Sequence, residues 1–176
     1  MRRIQLKIYG FFIIAIFFFS SYKPKSMPNT LHWITFEQAV ALQAKAPKKV
    51  LVDVYTDWCG WCKKMDKHTY TDENVIKNLS ENYYLVRLNA EQKEDILYKD
   101  KIFRYKSEYK ANELAVSLLN GQMSYPSTVF LDENMNMLTI VPGYLTPKDL
   151  NPILKYFGEN IYKQKSWKEF ESENKQ

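Results

Sequence analysis

The sequence predicts an α/β sandwich on a mixed sheet, and three features carry that expectation. The run "KVLVDVYT", residues 49–56, is β-branched and continuously apolar apart from Asp53, as a central strand covered on both faces would be. The stretches "STVFLD" and "NMLTIV" are separated only by "ENM", which suits an antiparallel pair joined by a short turn. Between and around them lie segments of helical character. The order is helix, strand, helix, strand, insert with helix, strand, strand, helix, which argues for helices layered on a mixed sheet.

Each element has its own signal. Thr35 precedes "FEQAVALQAK" with Gln38 three positions on, a capping box, and Phe36, Ala39, Val40 and Gln43 give a modestly amphipathic helix that Pro47 ends. After "CGWC", the segment "KKMDKHTYTDENVIKNLSENY" lacks Gly and Pro and suits helix, with a break near Thr69 to Asp72. "YYLVRLNA" reads as a second strand. In the insert, Ile96, Tyr98, Phe103 and Tyr105 alternate around "KDK" as a hairpin would, and "ANELAVSLLNGQ" reads as helix with Gly121 as its C-terminal stop. Leu150, Ile153, Leu154 and Phe157 recur at helical spacing near the end, where Thr146 and Pro147 suit a cap and first turn. Pro152 conflicts with an uninterrupted helix, so the helix either starts there with Asn151 as cap or kinks.

The chain opens with Arg2, Arg3 and Lys7, followed by an almost wholly apolar run from Ile8 to Phe19. That run is short of the ~20 residues of a transmembrane helix and matches an export signal. Residues 1–21 are therefore expected to be a signal peptide or an uncleaved N-terminal anchor that tethers the protein to a membrane. "YKPKSMPNT", residues 22–30, carries two prolines and no apolar period and reads as a tether. One domain is expected over residues 31–165, with a polar tail at 166–176. The location is expected to be periplasmic, either free or membrane-anchored facing the periplasm, where disulfides persist. The formal charge of +5 includes the three leader cations. The remainder is too weakly basic for a nucleic-acid partner.

The two cysteines of the chain, Cys59 and Cys62, are separated only by Gly60 and Trp61. A strand leading through a turn into a helix places them at a helix N-terminus, where unpaired N–H groups and the macrodipole favour negative charge. Cys59 would then ionise more readily than a free thiol. Cys62, one turn further on, is close enough to close a disulfide with Cys59 and to attack a mixed disulfide formed there. A purely structural bridge over two residues removes little chain entropy. A zinc site would need ligands beyond one CxxC, and His32 and His68 are 36 positions apart. Flanking polar and charged residues argue against an inert buried pair. Redox chemistry is the best-supported use of these thiols.

"VDVYTDWCGWCKKM" resembles the active-site segment of the thioredoxin superfamily, in which a strand bearing a buried acid leads to Trp-Cys-x-x-Cys. "VRLNA", "YPST" before "VFLD", and "PGY" with Gly143 match that superfamily in order, over roughly residues 31–160. "WCGWCKKMDKHTYTDENV" is most similar to exported thioredoxin-like proteins and to the periplasmic thioredoxin-like domain of transmembrane disulfide reductases.

The resemblance implies a thioredoxin-like three-layer α/β/α sandwich with an insert before the cis-Pro strand. It implies that Cys59 is the attacking thiolate and Cys62 the resolving thiol, with Asp53 as the buried acid that moves the Cys62 proton; an aspartate in solvent at a strand end is the alternative. Arg87 falls where the superfamily often has a lysine near that acid, or it is an exposed strand residue. Pro126 would be the cis-proline facing the disulfide, and Tyr125, Gly60 and Trp61 would line the substrate groove. Trp58 would shield the thiols or pack into the core. The dipeptide Gly-Trp and the lack of a proline in the following helix depart from thioredoxin and leave the direction of electron flow open.

The expected function is an exported thiol–disulfide oxidoreductase acting on protein disulfides. It needs no bound cofactor and takes its electrons from, or gives them to, a partner such as a membrane disulfide reductase. The rival is a redox-inactive thioredoxin-like binding module for a peptide or protein.

Overall fold

The computed structural model describes residues 30–174. The expected leader at 1–21 and almost all of the expected tether lie outside the described residues. The described chain forms a five-stranded sheet covered by helices on both faces. Its order is β1 (Trp33–Ile34), β3 (Tyr83–Asn89), β2 (Lys49–Tyr55), β8 (Ser127–Leu131), β9 (Met137–Pro142). The first three strands run parallel, whereas β8 and β9 are antiparallel to their neighbours. The mixed sheet and layered helices follow the architecture predicted.

Why β2 is apolar at every position but Lys49 and Asp53 is visible in the packing. Val50, Val52 and Val54 enter one core with Phe36 and Ala39 of α1 (Phe36–Gln43) and with Leu114, Ala115 and Leu118 of α4 (Glu113–Leu118). Leu51 enters the other core. There it meets Met65 of α2 (Gly60–His68), Val75 and Leu79 of α3 (Glu73–Asn82), and Leu150 and Leu154 of α5 (Pro147–Gly158). Since strand side chains alternate, Asp53 shares the second face with Leu51.

Local signals set the helix ends. Thr35 and Gln38 form the capping box of α1, and Thr146 and Asp149 form that of α5. The break after α2 is made by Thr69, whose hydroxyl donates to the Leu145 carbonyl at 2.6 Å, and by Asp72, which caps α3. Tyr83 Oη donates to the Leu154 carbonyl at 2.7 Å, tying β3 to α5.

The insert builds two hairpins, β4 (Ile96–Tyr98) with β5 (Lys101–Phe103), and β6 (Tyr105–Lys106) with β7 (Ala111–Asn112). The turn between β4 and β5 is Lys99–Asp100, both at positive φ, as a two-residue type I′ connection requires. Ile96, Phe103 and Ala111 join the α1/α4 core, so the insert extends the fold. Leu97 and Ile102 face each other on its outer side.

Four details depart from the expectations. The helix of "ANELAVSLLNGQ" starts only at Glu113, because Ala111 and Asn112 pair with β6 and Asn112 caps the helix. The helix α5 begins at Pro147 with Thr146 as cap, so the alternative start at Pro152 with Asn151 as cap is overturned; Pro152 lies inside the helix and has no N–H for the exposed Lys148, so one bond is lost at the surface. The two-residue edge strand β1 was not anticipated, being too short for an alternation signal. The stretch expected as a polar tail forms α6 (Trp167–Asn174), in which Phe170 is only 4% exposed and stacks on Tyr156 at 5.3 Å.

The Phe170 anchor makes α6 part of the domain. Phe170→Ala should lower the unfolding free energy by about 3 kcal/mol, the range for emptying a buried aromatic site, as read from urea denaturation.

Candidate active site

The site forms where β2 runs into α2. Cys59 N–H donates to the Thr56 carbonyl at 3.1 Å, which closes the connecting turn. Cys59 is then the N-cap of α2, and its sulfur accepts the Cys62 amide at 3.0 Å. Serine or threonine usually fills this role. The two sulfurs are joined at 2.06 Å, with Cα atoms 5.3 Å apart. The amide that caps the disulfide sulfur would stabilise the Cys59 thiolate once the bond is reduced.

Both cysteines are more covered than their polar neighbours suggest, at 4% and 3% exposure. The expectation that charged flanks keep them open is corrected here. The flanking side chains point outward and leave the sulfurs behind, while Cys62 and Met65 face the core. Trp58 is 66% exposed and does not pack into the core. Its ring lies edge-on to Tyr125 at 5.9 Å, and its Nε1 donates to Glu91 at 3.1 Å. Trp61 is 57% exposed, against Tyr144 at 5.4 Å, with the Lys64 ammonium over both rings at 4.7 and 5.1 Å. Two aromatic pairs thus flank the dithiol. The Tyr125–Pro126 bond is cis, and the Gly143 N–H donates to the Pro126 carbonyl at 2.8 Å. Gly143 has φ +93°, a conformation that glycine adopts at little cost. Gly60, the first residue of α2, has open space where a side chain would stand.

Asp53 is buried and not at a solvated strand end. Burial pushes its carboxyl up to about 7 against the pull of Arg87; Asp66 adds to the rise, and the Tyr70 hydroxyl opposes it. Arg87 stands beside Asp53 in the β2–β3 register. Its Nη2 is 3.4 Å from Asp53 Oδ2, and its Nη1 is 2.9 Å from Asp66 Oδ1. The guanidinium also stacks on Tyr55 at 4.5 Å and Trp33 at 5.3 Å. Arg87 is therefore no free surface cation. It links the buried acid to α2 through Asp66, one helical turn after Cys62.

Sequence reasoning missed Asp66, Glu91 and Tyr144. Asp66 carried a signal, since i and i+4 share a helix face. Glu91 and Tyr144 carried none, because only the tertiary fold brings them to the rim. Among the described residues, no group of three or more His, Cys, Asp or Glu side chains could hold a metal ion.

A carboxyl held near 7 when folded and near 3.8 when unfolded takes up protons on folding between those values. Its neutral form is compatible with burial, so its penalty grows as pH rises from about 4 to 7 and is constant above. Asp53→Asn should therefore stabilise the oxidised protein by about 2–4 kcal/mol at pH 8 and scarcely at all at pH 4, as measured by chemical denaturation at both values.

Comparison with known proteins agrees with the geometry. A family model described as "Thioredoxin-like domain" matches residues 36–158. "Thiol:disulfide interchange protein DsbD" of Actinobacillus pleuropneumoniae is 29% identical over 106 residues, covering 59% of this chain and 15% of that protein. DsbD of Yersinia enterocolitica is 44% identical over 48 residues, 27% of this chain and 8% of that protein. The chain thus spans a small part of the length of these curated relatives. Among solved structures, a "DsbH Oxidoreductase" superposes with TM-score 0.56 at 15% identity, covering 78% of this chain and 92% of that one. A thioredoxin-fold protein from Helicobacter pylori gives 0.57 at 17% identity, covering 81% and 83%. With the matched model spanning both cysteines, Asp53, Arg87 and the cis-proline, the chain belongs to the thioredoxin-like family.

Proposed function

We propose that the protein is an exported thiol–disulfide oxidoreductase that reduces or exchanges disulfides in other proteins. The observation that carries this reading is the Cys59–Cys62 bond at the N-terminus of α2, with an amide already aimed at the Cys59 sulfur. Similarity to proteins named for thiol:disulfide interchange supports it. The charged leader and apolar run of residues 1–21 support export or anchoring; no helix of the described residues is long and apolar enough to cross a membrane.

The chemistry proceeds in two exchanges. In the reduced protein, the Cys59 thiolate attacks one sulfur of a substrate disulfide, and the other substrate sulfur leaves as a thiolate. Cys62 then gives its proton to Asp53 and attacks the Cys59 sulfur. The second substrate thiolate leaves, and the protein holds the Cys59–Cys62 bond seen here. Two electrons have moved to the substrate. A dithiol partner, such as a membrane disulfide reductase, restores the reduced form by the same exchange in reverse. Trp58 with Tyr125 and Trp61 with Tyr144 offer apolar walls for the substrate chain, beside Pro126.

Wild type should reduce insulin disulfides in the presence of a dithiol donor, and Cys59→Ser should lose essentially all of that rate. Equal rates would instead identify a thioredoxin-like binding module. Cys62→Ala should accumulate substrate mixed disulfides on non-reducing gels. Equilibration with glutathione sets the direction: a potential near about −270 mV makes the protein a reductant, and one near about −120 mV an oxidant.

A further inference from the structure

Three buried polar atoms on one face of the sheet have no partner in the contacts described above. Asp53 Oδ1, Tyr70 Oη and Thr128 Oγ1 are shut from solvent, and none has a hydrogen-bond partner of full geometry among the described residues. The fold brings them together. Thr128 stands directly opposite Asp53 in the β2–β8 ladder, so both side chains leave the sheet on one face. Tyr70, in the turn after α2, belongs to the core on that face with Leu51 and Met65, and Trp33 holds its ring edge-on at 4.9 Å. Its hydroxyl is close enough to act on the Asp53 carboxyl and to feel the Thr128 hydroxyl. Buried hydroxyls without partners are uncommon, and a hydroxyl turns to whichever acceptor its pocket offers. An ionised Asp53 is the strongest acceptor there.

The two oxygens of Asp53 have different surroundings. Oδ2 faces Arg87 of β3, whose charge is shared with Asp66 of α2 and screened by the Tyr55 ring of β2. Oδ1 faces neither. We propose that Tyr70 is a positioning residue for the proton step: with Thr128 beside it, its hydroxyl donates to Asp53 Oδ1 when that carboxyl ionises, and so sets the pH at which Asp53 accepts the Cys62 proton. This rests on the reading that Asp53 serves Cys62. Tyr70 itself is not consumed. The proton passes from Cys62 Sγ to Asp53, the Cys62 thiolate forms the bond to Cys59, and the electron pair of the broken mixed disulfide leaves with the substrate sulfur.

The sign follows from what the donor stabilises. A hydrogen bond to the carboxylate favours the charged form and lowers its pKa. Tyr70→Phe removes it, so Asp53 ionises at higher pH and the rising limb of the exchange rate moves the same way.

The test is a carbon-13 NMR titration of the Asp53 carboxyl in the oxidised protein, paired with the pH profile of single-turnover insulin reduction. In Tyr70→Phe the midpoint should rise by about 0.5 pH unit or more, with about a threefold loss of rate on the rising limb and no loss above it. Asp53→Asn should remove the limb, and adding Tyr70→Phe to it should change nothing further. Thr128→Val should raise the midpoint by less than Tyr70→Phe, which keeps the proposal testable if the tyrosine variant folds poorly. A midpoint unchanged in both variants, or a rate lowered equally at every pH, overturns it. The titration needs no turnover, so a wild type that fails to reduce insulin would sink the functional reading while the NMR midpoint still decides the role of Tyr70.

Discussion

The structure depends on a strand that is dry on both sides and ends in a helix. Burying both faces of β2 removes apolar surface from water, the dominant favourable term in folding, and it fixes the point at which α2 can start. A carboxylate placed in such a strand cannot be solvated. Asp53 is tolerated because Arg87 answers one of its oxygens and because its neutral form is accessible near neutral pH. The same burial that stabilises the sheet therefore prepares a group able to take and return a proton.

The junction of β2 and α2 also explains why the dithiol is both covered and reactive in principle. The N-cap position orients Cys59 toward the helix amides, while the α2 face carrying Cys62 and Met65 turns to the core. What remains at the surface is aromatic. Trp58 and Trp61 project outward and are steadied by Tyr125 and Tyr144 from loops distant in sequence. Aromatic rings offer large contact area at low conformational-entropy cost, and here two such pairs form the surface on either side of the sulfurs.

Arg87 ties these parts together. It lies on β3, pairs with Asp53 on β2, holds Asp66 on α2, and stacks on Tyr55 and Trp33. A guanidinium suits this post better than an ammonium, since its planar fork serves two carboxylates and its faces stack on rings. Through Asp66, this side chain couples α2 to Asp53. The C-terminal end has its own clamp: buried Lys49 at the start of β2 binds Glu133 at 2.6 Å and Asn160 at 2.9 Å.

The amino-acid sequence alone determined the elements whose signals are local. The capping boxes at Thr35 and Thr146, the apolar run of β2, the insert hairpin and the strand–turn–helix setting of the cysteines are all short-range patterns, legible because backbone and solvent dictate them within a few residues. The tertiary structure decided everything that depends on which faces meet. It buried Asp53 instead of leaving it in water, turned Arg87 inward, sent Trp58 outward, carried α5 through Pro152 and folded the last stretch onto Tyr156 through Phe170. The physical reason is the same in each case: burial and charge pairing are properties of partners far apart along the chain, and no local pattern encodes the partner.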